Sequence, residues 1–211
     1  MRDRFTPTAY VLDQFDVLPL GSVLREEVSM YQASPAFVHD VAGPLTRKFL
    51  SAAFVLARWT PEEMLNSIID VRVHQLQAGY YPAIPGYHLD WMPRKNKGAD
   101  VDLSVIPERK NIVLIVGETS LTEFVDSEVS YLGPNAQFKD YNVMLKRYAA
   151  THHVESGQLV HFTSEDWHRP VPAEGNEWRY LARISTGMGI QPANQVRSQS
   201  QVYIPIEEGS F

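Results

Sequence analysis

The residues best suited to chemistry are His88-Leu89-Asp90. In a strand, residues i and i+2 point the same way, so an imidazole and a carboxylate would reach one point together. A further histidine from another strand would complete a 2-His-1-carboxylate facial triad, which leaves three coordination positions open on iron(II). The best third ligand lies in the segment from Gly157 to Pro170. A glycine turn, an apolar strand and a short polar turn there place His168 at the start of the next strand. His161 sits mid-strand between apolar neighbours and reads as structural. His152-His153 reads as a loop pair, solvated or supporting the ligands, His74 as a strand-face residue, and His39 as partnerless.

Past His168 runs Trp178-Arg179-Tyr180-Leu181-Ala182-Arg183-Ile184-Ser185. As a strand it puts Arg179, Leu181, Arg183 and Ser185 on one face. Two inward arginines are costly without an anion, and a dicarboxylate supplies one, because arginine forks onto carboxylate. The alternative turns this face to solvent and buries Trp178, Tyr180, Ala182 and Ile184. Around the ligands lie Tyr80, Tyr81, Tyr87, Trp91 and Trp167, followed by the basic run Arg94-Lys95-Asn96-Lys97. Tyr81, Trp91, Arg94 and Trp167 are the candidate substrate contacts; a plain apolar lining and an ordinary charged loop are the alternatives.

These groups need elements to hold them. Leu45 to Trp59 has helical apolar spacing. Thr60-Pro61-Glu62-Glu63 reads as a capping box opening a second helix to about Ile69. From Val71 the texture changes. VRVHQLQ alternates, NIVLIVGET is a buried-strand run, and QLVHF, WRYLARIS and QVYIPI follow between turn residues. QFKDYNVMLKRYAA is a helix or an irregular insertion. Two helices followed by many short strands predict a mainly β barrel or sandwich with flanking helices. The 211 residues read as one domain, 1–70 a mixed, largely helical buttress and 71–206 the β core.

Composition narrows the function classes. Without cysteine there are no disulfides, thiolate metal sites or cysteine nucleophile. The net charge of −6 disfavours a nucleic-acid partner, since gripping a phosphate backbone takes cationic surface. No apolar run approaches the ~20 residues of a membrane span, and MRDRFTPTAY has no signal-peptide core. A cytoplasmic protein acting on a small molecule is the expectation.

With His88, Asp90, His168 and Arg179 in that order, the chain resembles the Fe(II)- and 2-oxoglutarate-dependent dioxygenases over about residues 71–190. Arg183-Ile184-Ser185 is similar to the R-x-S of some members, and Arg179 with Arg183 to the R-x-x-x-R pair of the taurine dioxygenase branch. Gly117-Glu118-Thr119-Ser120-Leu121-Thr122-Glu123-Phe124 is similar to the family's segment after the central strand, where a threonine bonds the cosubstrate. The resemblance implies a double-stranded β-helix (jelly roll, cupin-like). It implies Fe(II) on His88, Asp90 and His168, and 2-oxoglutarate held by Arg179, Arg183, Ser185, Thr119 or Thr122, with Arg179 favoured. It also implies hydroxylase-type oxidation coupled to decarboxylation of 2-oxoglutarate to succinate; Asp90 is the carboxylate that halogenating members lack. The alternatives are a cupin-like metalloprotein that does not use 2-oxoglutarate and a non-catalytic β-sandwich binding module.

Overall fold

The computed structural model describes residues 3–16, 21, 24–93, 101–133, 135–187, 189–198 and 200–204. Its strands are β1 (Arg4–Phe5), β2 (Tyr10–Gln14), β3 (Met30–Ala33), β4 (Ile68–Leu76), β5 (Arg109–Val116), β6 (Thr122–Val125), β7 (Val129–Ser130), β8 (Thr151–His153), β9 (Gln158–Thr163), β10 (His168–Pro170), β11 (Glu177–Gly187) and β12 (Gln195–Val196). Among the described residues they are accompanied by the α-helices α1 (Pro35–Val41), α2 (Pro44–Leu56), α3 (Pro61–Leu65) and α4 (Phe138–Tyr148). A seven-stranded antiparallel sheet runs β12-β3-β4-β11-β5-β9-β2, and a three-stranded sheet runs β10-β6-β8. An isolated bridge between His88 and His168 adds the segment before Asp90 to the edge of the smaller sheet.

The large sheet is covered on both faces, as strands this apolar require. One face carries Ile69, Val71, Ile112, Leu114, Tyr180, Ala182 and Ile184 against Val38, Leu45, Phe49 and Ala53 of α1 and α2. The other carries Val113, Ile115, Val160 and Phe162 against Phe124 of β6. The molecule is thus mainly β, two facing sheets with helices outside. The solvated alternative for WRYLARIS does not hold: its odd positions enter the space between the sheets, while of the even positions Tyr180, Ala182 and Ile184 meet the helix-side core and Trp178 is exposed.

Residues 1–70 do more than buttress. β2 pairs with β9, β3 with β4, and β1 with β7. The Thr60 capping box forms as expected, with both reciprocal bonds present. Its helix nevertheless stops at Leu65 rather than about Ile69, because Ile68 and Ile69 already belong to β4, where β-branched side chains are favoured. At Gly43, which opens α2, a Cβ would lie 2.3 Å from the Glu26 carbonyl. That approach brings the Glu27 carboxylate onto the Leu45 N–H (2.7 Å) and the Thr46 hydroxyl (2.5 Å). QFKDYNVMLKRYAA is helix α4, and His152-His153 lies in β8 rather than in a loop. Of QVYIPI, Tyr203 bridges Tyr81, and residues 205–211 lie outside the described part. No helix among the described residues is long and apolar enough to cross a membrane.

Candidate active site

His88 and His168 sit opposite one another, each N–H donating to the other's carbonyl (2.9 and 3.2 Å). A pair of this kind directs both side chains to one face, and the two ring centroids are 4.7 Å apart. The tautomer of each ring follows from its backbone contact. His88 Nδ1 lies 3.0 Å from the Gly86 carbonyl and His168 Nδ1 lies 2.9 Å from the Asp166 carbonyl. A carbonyl only accepts, so each Nδ1 carries the hydrogen and each Nε2 keeps a lone pair for a metal. Asp90 brings Oδ2 to 3.6 Å from His168 Nε2. Among the described residues, these three are the group of His, Asp and Glu donors gathered closely enough to hold an ion, with ligand atoms within 4.8 Å of one another. Two imidazole nitrogens and one carboxylate suit iron(II).

Neighbouring charge prepares the donors. Burial, then the His168 ring, push the His88 imidazole down to about 4, so at neutral pH it is an uncharged ligand. Burial alone would raise the Asp90 carboxyl, but the adjacent Arg183 guanidinium and the His168 and His88 rings together outweigh it and hold Asp90 well below the usual carboxylate range. Arg183 bonds Asp90 through Nη1 and Asp70 through Nη2, the latter at 2.9 Å.

A second layer fixes the backbone. Glu123 accepts from the Tyr87 hydroxyl, from Arg169 Nε (3.1 Å) and Nη2 (2.9 Å), and pairs with His153 (2.8 Å). Tyr87 precedes His88 and Arg169 follows His168, so one buried carboxylate ties both ligand segments. Asn142 of α4 accepts from the Tyr87 N–H (2.6 Å) and donates to its carbonyl (3.0 Å).

The other expected residues separate into groups. Arg179 is 2% exposed and points between the sheets; its Nε donates to the Ser120 carbonyl (2.6 Å), and its terminal nitrogens have no partner among the described residues. Burial and the charge of Arg72 lower it to about 9. Thr122 shares a face with Phe124, whose ring lies 5.3 Å from that of His168. Thr119 instead donates its hydroxyl to Glu177 (2.8 Å), and Ser185 donates to Asn111 (2.7 Å), so both hydroxyls are engaged within the protein. Trp167 is a core residue: it stacks on Tyr141 at 4.5 Å and meets Phe5 and Phe138 edge-on, which buries both faces of its ring. Tyr81 pairs its backbone with Tyr203. Trp91 takes φ 65°, a conformation that costs a bulky residue ~1–3 kcal/mol. Its ring lies beneath Arg183 (5.5 Å) and Arg109 (4.7 Å). Arg94, Lys95 and Lys97 lie outside the described residues.

Asp70, Arg72 and Arg109 were missed from sequence. Asp70, Arg72 and His74 alternate along β4 with Ile69, Val71 and Val73, which face the helices. That alternation was the available signal. Arg72 makes no hydrogen bond or ion pair among the described residues, and burial with Arg179 and Arg72 nearby depresses His74 to about 3.

No family model matches the chain, and no curated protein matches it. Among solved structures it is similar to HygX from Streptomyces hygroscopicus with iron bound, at 13% identity and TM-score 0.47 over 87% of this chain and 84% of that one. It is also similar to EvdO2 from Micromonospora carbonacea var. aurantiaca complexed with 2-oxoglutarate, at 12% identity and TM-score 0.43 over 83% and 71%. A further likeness is to AviO1 from Streptomyces viridochromogenes Tue57, at 14% identity and TM-score 0.38 over 85% and 100%. Likenesses this distant assign neither a family nor a chemistry.

Proposed function

We propose that this chain, as one jelly-roll domain, is an Fe(II)- and 2-oxoglutarate-dependent oxygenase of the hydroxylase type acting on a small molecule. The observation that carries the reading is the pairing of two features in one intersheet space. One is a His-Asp-His donor set with both Nε2 atoms free. The other is Arg179, almost wholly buried with no carboxylate hydrogen-bonded to its terminal nitrogens among the described residues. A buried guanidinium left in this way is costly, and a dicarboxylate cosubstrate relieves it.

His88 Nε2, His168 Nε2 and an Asp90 oxygen would hold the metal. Bound there, iron(II) with dioxygen and 2-oxoglutarate supplies the oxidising chemistry, with succinate and carbon dioxide as coproducts. The chain's own residues do the rest. Arg179 receives the far carboxylate of 2-oxoglutarate, with Arg72 adding a second positive charge and Thr122 a hydroxyl. His74, neutral between them, adds no further cation. Arg183 keeps Asp90 ionised and oriented through its second bond to Asp70. Phe124, Phe162 and Leu181 keep water from the intersheet space.

The test is an anaerobic titration of metal-free protein with Fe(II) and then 2-oxoglutarate. A visible charge-transfer band appearing only with both supports the reading. Iron binding without the band favours a cupin-like metalloprotein that does not use 2-oxoglutarate, and no iron binding leaves a β-sandwich binding module.

A further inference from the structure

The described inner surface between the sheets carries one more arginine than carboxylates. Arg109, Asn111, Val113 and Ile115 share the inner face of β5, while Lys110 turns outward to Glu63 (2.7 Å). On the described inner surface Arg72, Arg109, Arg179 and Arg183 face the carboxylates Asp70, Asp90 and Glu177. Arg183 takes both aspartates, and Glu177 is held by Thr119 and the Glu118, Thr119 and Ser120 N–H groups. A divalent metal and a dianionic cosubstrate cancel each other, so one arginine is left over. Position says which. Arg179 lies opposite His74 near the start of β11, and Arg109 lies opposite Gly187 at its end. The strand between them spans about 26 Å, too far for one small dicarboxylate to reach both.

Unmet donors gather at the Arg109 end. Among the described residues, Arg109 Nε and Nη1, Trp91 Nε1, Asn111 Nδ2 and Ser164 Oγ are buried without a hydrogen-bond partner. Asn111 and Ser164 are 0% and 1% exposed, and the Ser164 N–H bonds the Arg109 carbonyl (3.2 Å). Trp91 follows the ligand Asp90, and the ring of His168 lies 5.3 Å from that of Phe162, the residue opposite Asn111. Buried donors without acceptors each cost about 1–3 kcal/mol, and one multi-oxygen anion would satisfy several at once.

We propose that Arg109, Asn111, Trp91 Nε1 and Ser164 form the subsite for an anionic group, a carboxylate or phosphate, on the substrate to be oxidised. Resting on the oxygenase reading above, this places the substrate's charge beside the metal, at the end opposite the cosubstrate's far carboxylate.

Phenyl phosphate, benzoate and the neutral benzyl alcohol serve as probes, their binding followed by ligand-observed NMR. Each is titrated into metal-free protein and into the anaerobic Fe(II)–2-oxoglutarate form. In both, at least one anion is expected to bind about tenfold or more tighter than the alcohol. Arg109→Gln should remove that preference, and Ser164→Ala, the gentler change, should weaken it. In the loaded form neither should alter the charge-transfer band, and Arg179→Ala should leave the preference of the metal-free protein intact. Equal binding of anion and alcohol overturns the subsite, as does an unchanged preference in Arg109→Gln, or in Ser164→Ala if Arg109→Gln does not fold. Absence of the band with the Arg109-dependent preference intact overturns the oxygenase reading while leaving the anion site standing.

Discussion

Arg179 and Arg183, one helical-looking interval apart in sequence but on a strand, have opposite surroundings. Arg183 is surrounded by carboxylates, and its proton is held more tightly than usual by Asp90 and Asp70 in spite of burial. Arg179 has none hydrogen-bonded to its terminal nitrogens among the described residues, and burial with the charge of Arg72 loosens its proton in spite of Glu177. Replacing them should therefore give different phenotypes. Arg179→Ala should raise the apparent KM for 2-oxoglutarate about tenfold or more while iron binds as before. Arg183→Ala should leave Asp70 and Asp90 as unpaired carboxylates, lowering stability by about 3–5 kcal/mol and disturbing iron binding itself. Iron titration and steady-state kinetics on both variants separate the roles, and the reverse pattern would exchange them. The two arginines, like the H-x-D and His168, were legible because each motif is local in sequence. Asp70 was not, since it stands 113 residues from Arg183 and meets it only through the pairing of β4 with β11.

At the scale of elements, the ligand segments are short and lean on their neighbours. His88 stands outside any named strand, and β10 is three residues long. Glu123 on β6 ties them from behind through Tyr87 and Arg169. Arg169, Tyr87 and His153 together overcome the effect of burial and lower its pKa, so it is a carboxylate at neutral pH. Glu123→Gln should weaken iron binding about tenfold although no ligand is touched, in the range seen when groups supporting metal ligands are removed. Asn142→Ala should act in the same direction from α4, by releasing the backbone of Tyr87. Isothermal titration with Fe(II), beside a melting curve, measures both. Unchanged affinity would mean the ligand geometry is set by the His88–His168 bridge alone. This layer was hidden in the sequence. Glu123 fell inside the segment scanned for cosubstrate threonines, and Thr119 in that segment proves to hold Glu177. α4 read equally well as an insertion because its charged residues mask a narrow apolar seam through Tyr141 and Leu145.

For the whole molecule, the net charge of −6 conceals the arginines of β4, β5 and β11 that face the space between the sheets. That arrangement makes stability depend on pH. His74 is pushed down to about 3, first by burial and then by Arg179 and Arg72, and His88 to about 4. Both are lowered from an unfolded value near 6.5. Between those values the unfolded chain binds protons that the native state refuses, so stability is fully present above about pH 6.5 and is lost as pH falls. From pH 8 to pH 5 each group should remove about 2 kcal/mol from the metal-free protein. His161, also lowered by burial, acts in the same sense. Urea unfolding at the two pH values should therefore show a drop of about 4 kcal/mol or more. His74→Gln should lose the His74 share of that slope without altering the metal ligands. A pH-independent midpoint in the native chain would mean that His74 and His88 are not buried as the pairing of β4 with β11 and the His88–His168 bridge require. A bound dicarboxylate at Arg179 should raise the His74 pKa by offsetting the positive charge beside it. Adding iron with 2-oxoglutarate should raise the plateau and steepen the acid limb, because His88 and His168 hold iron only as neutral imidazoles and protons compete with the metal.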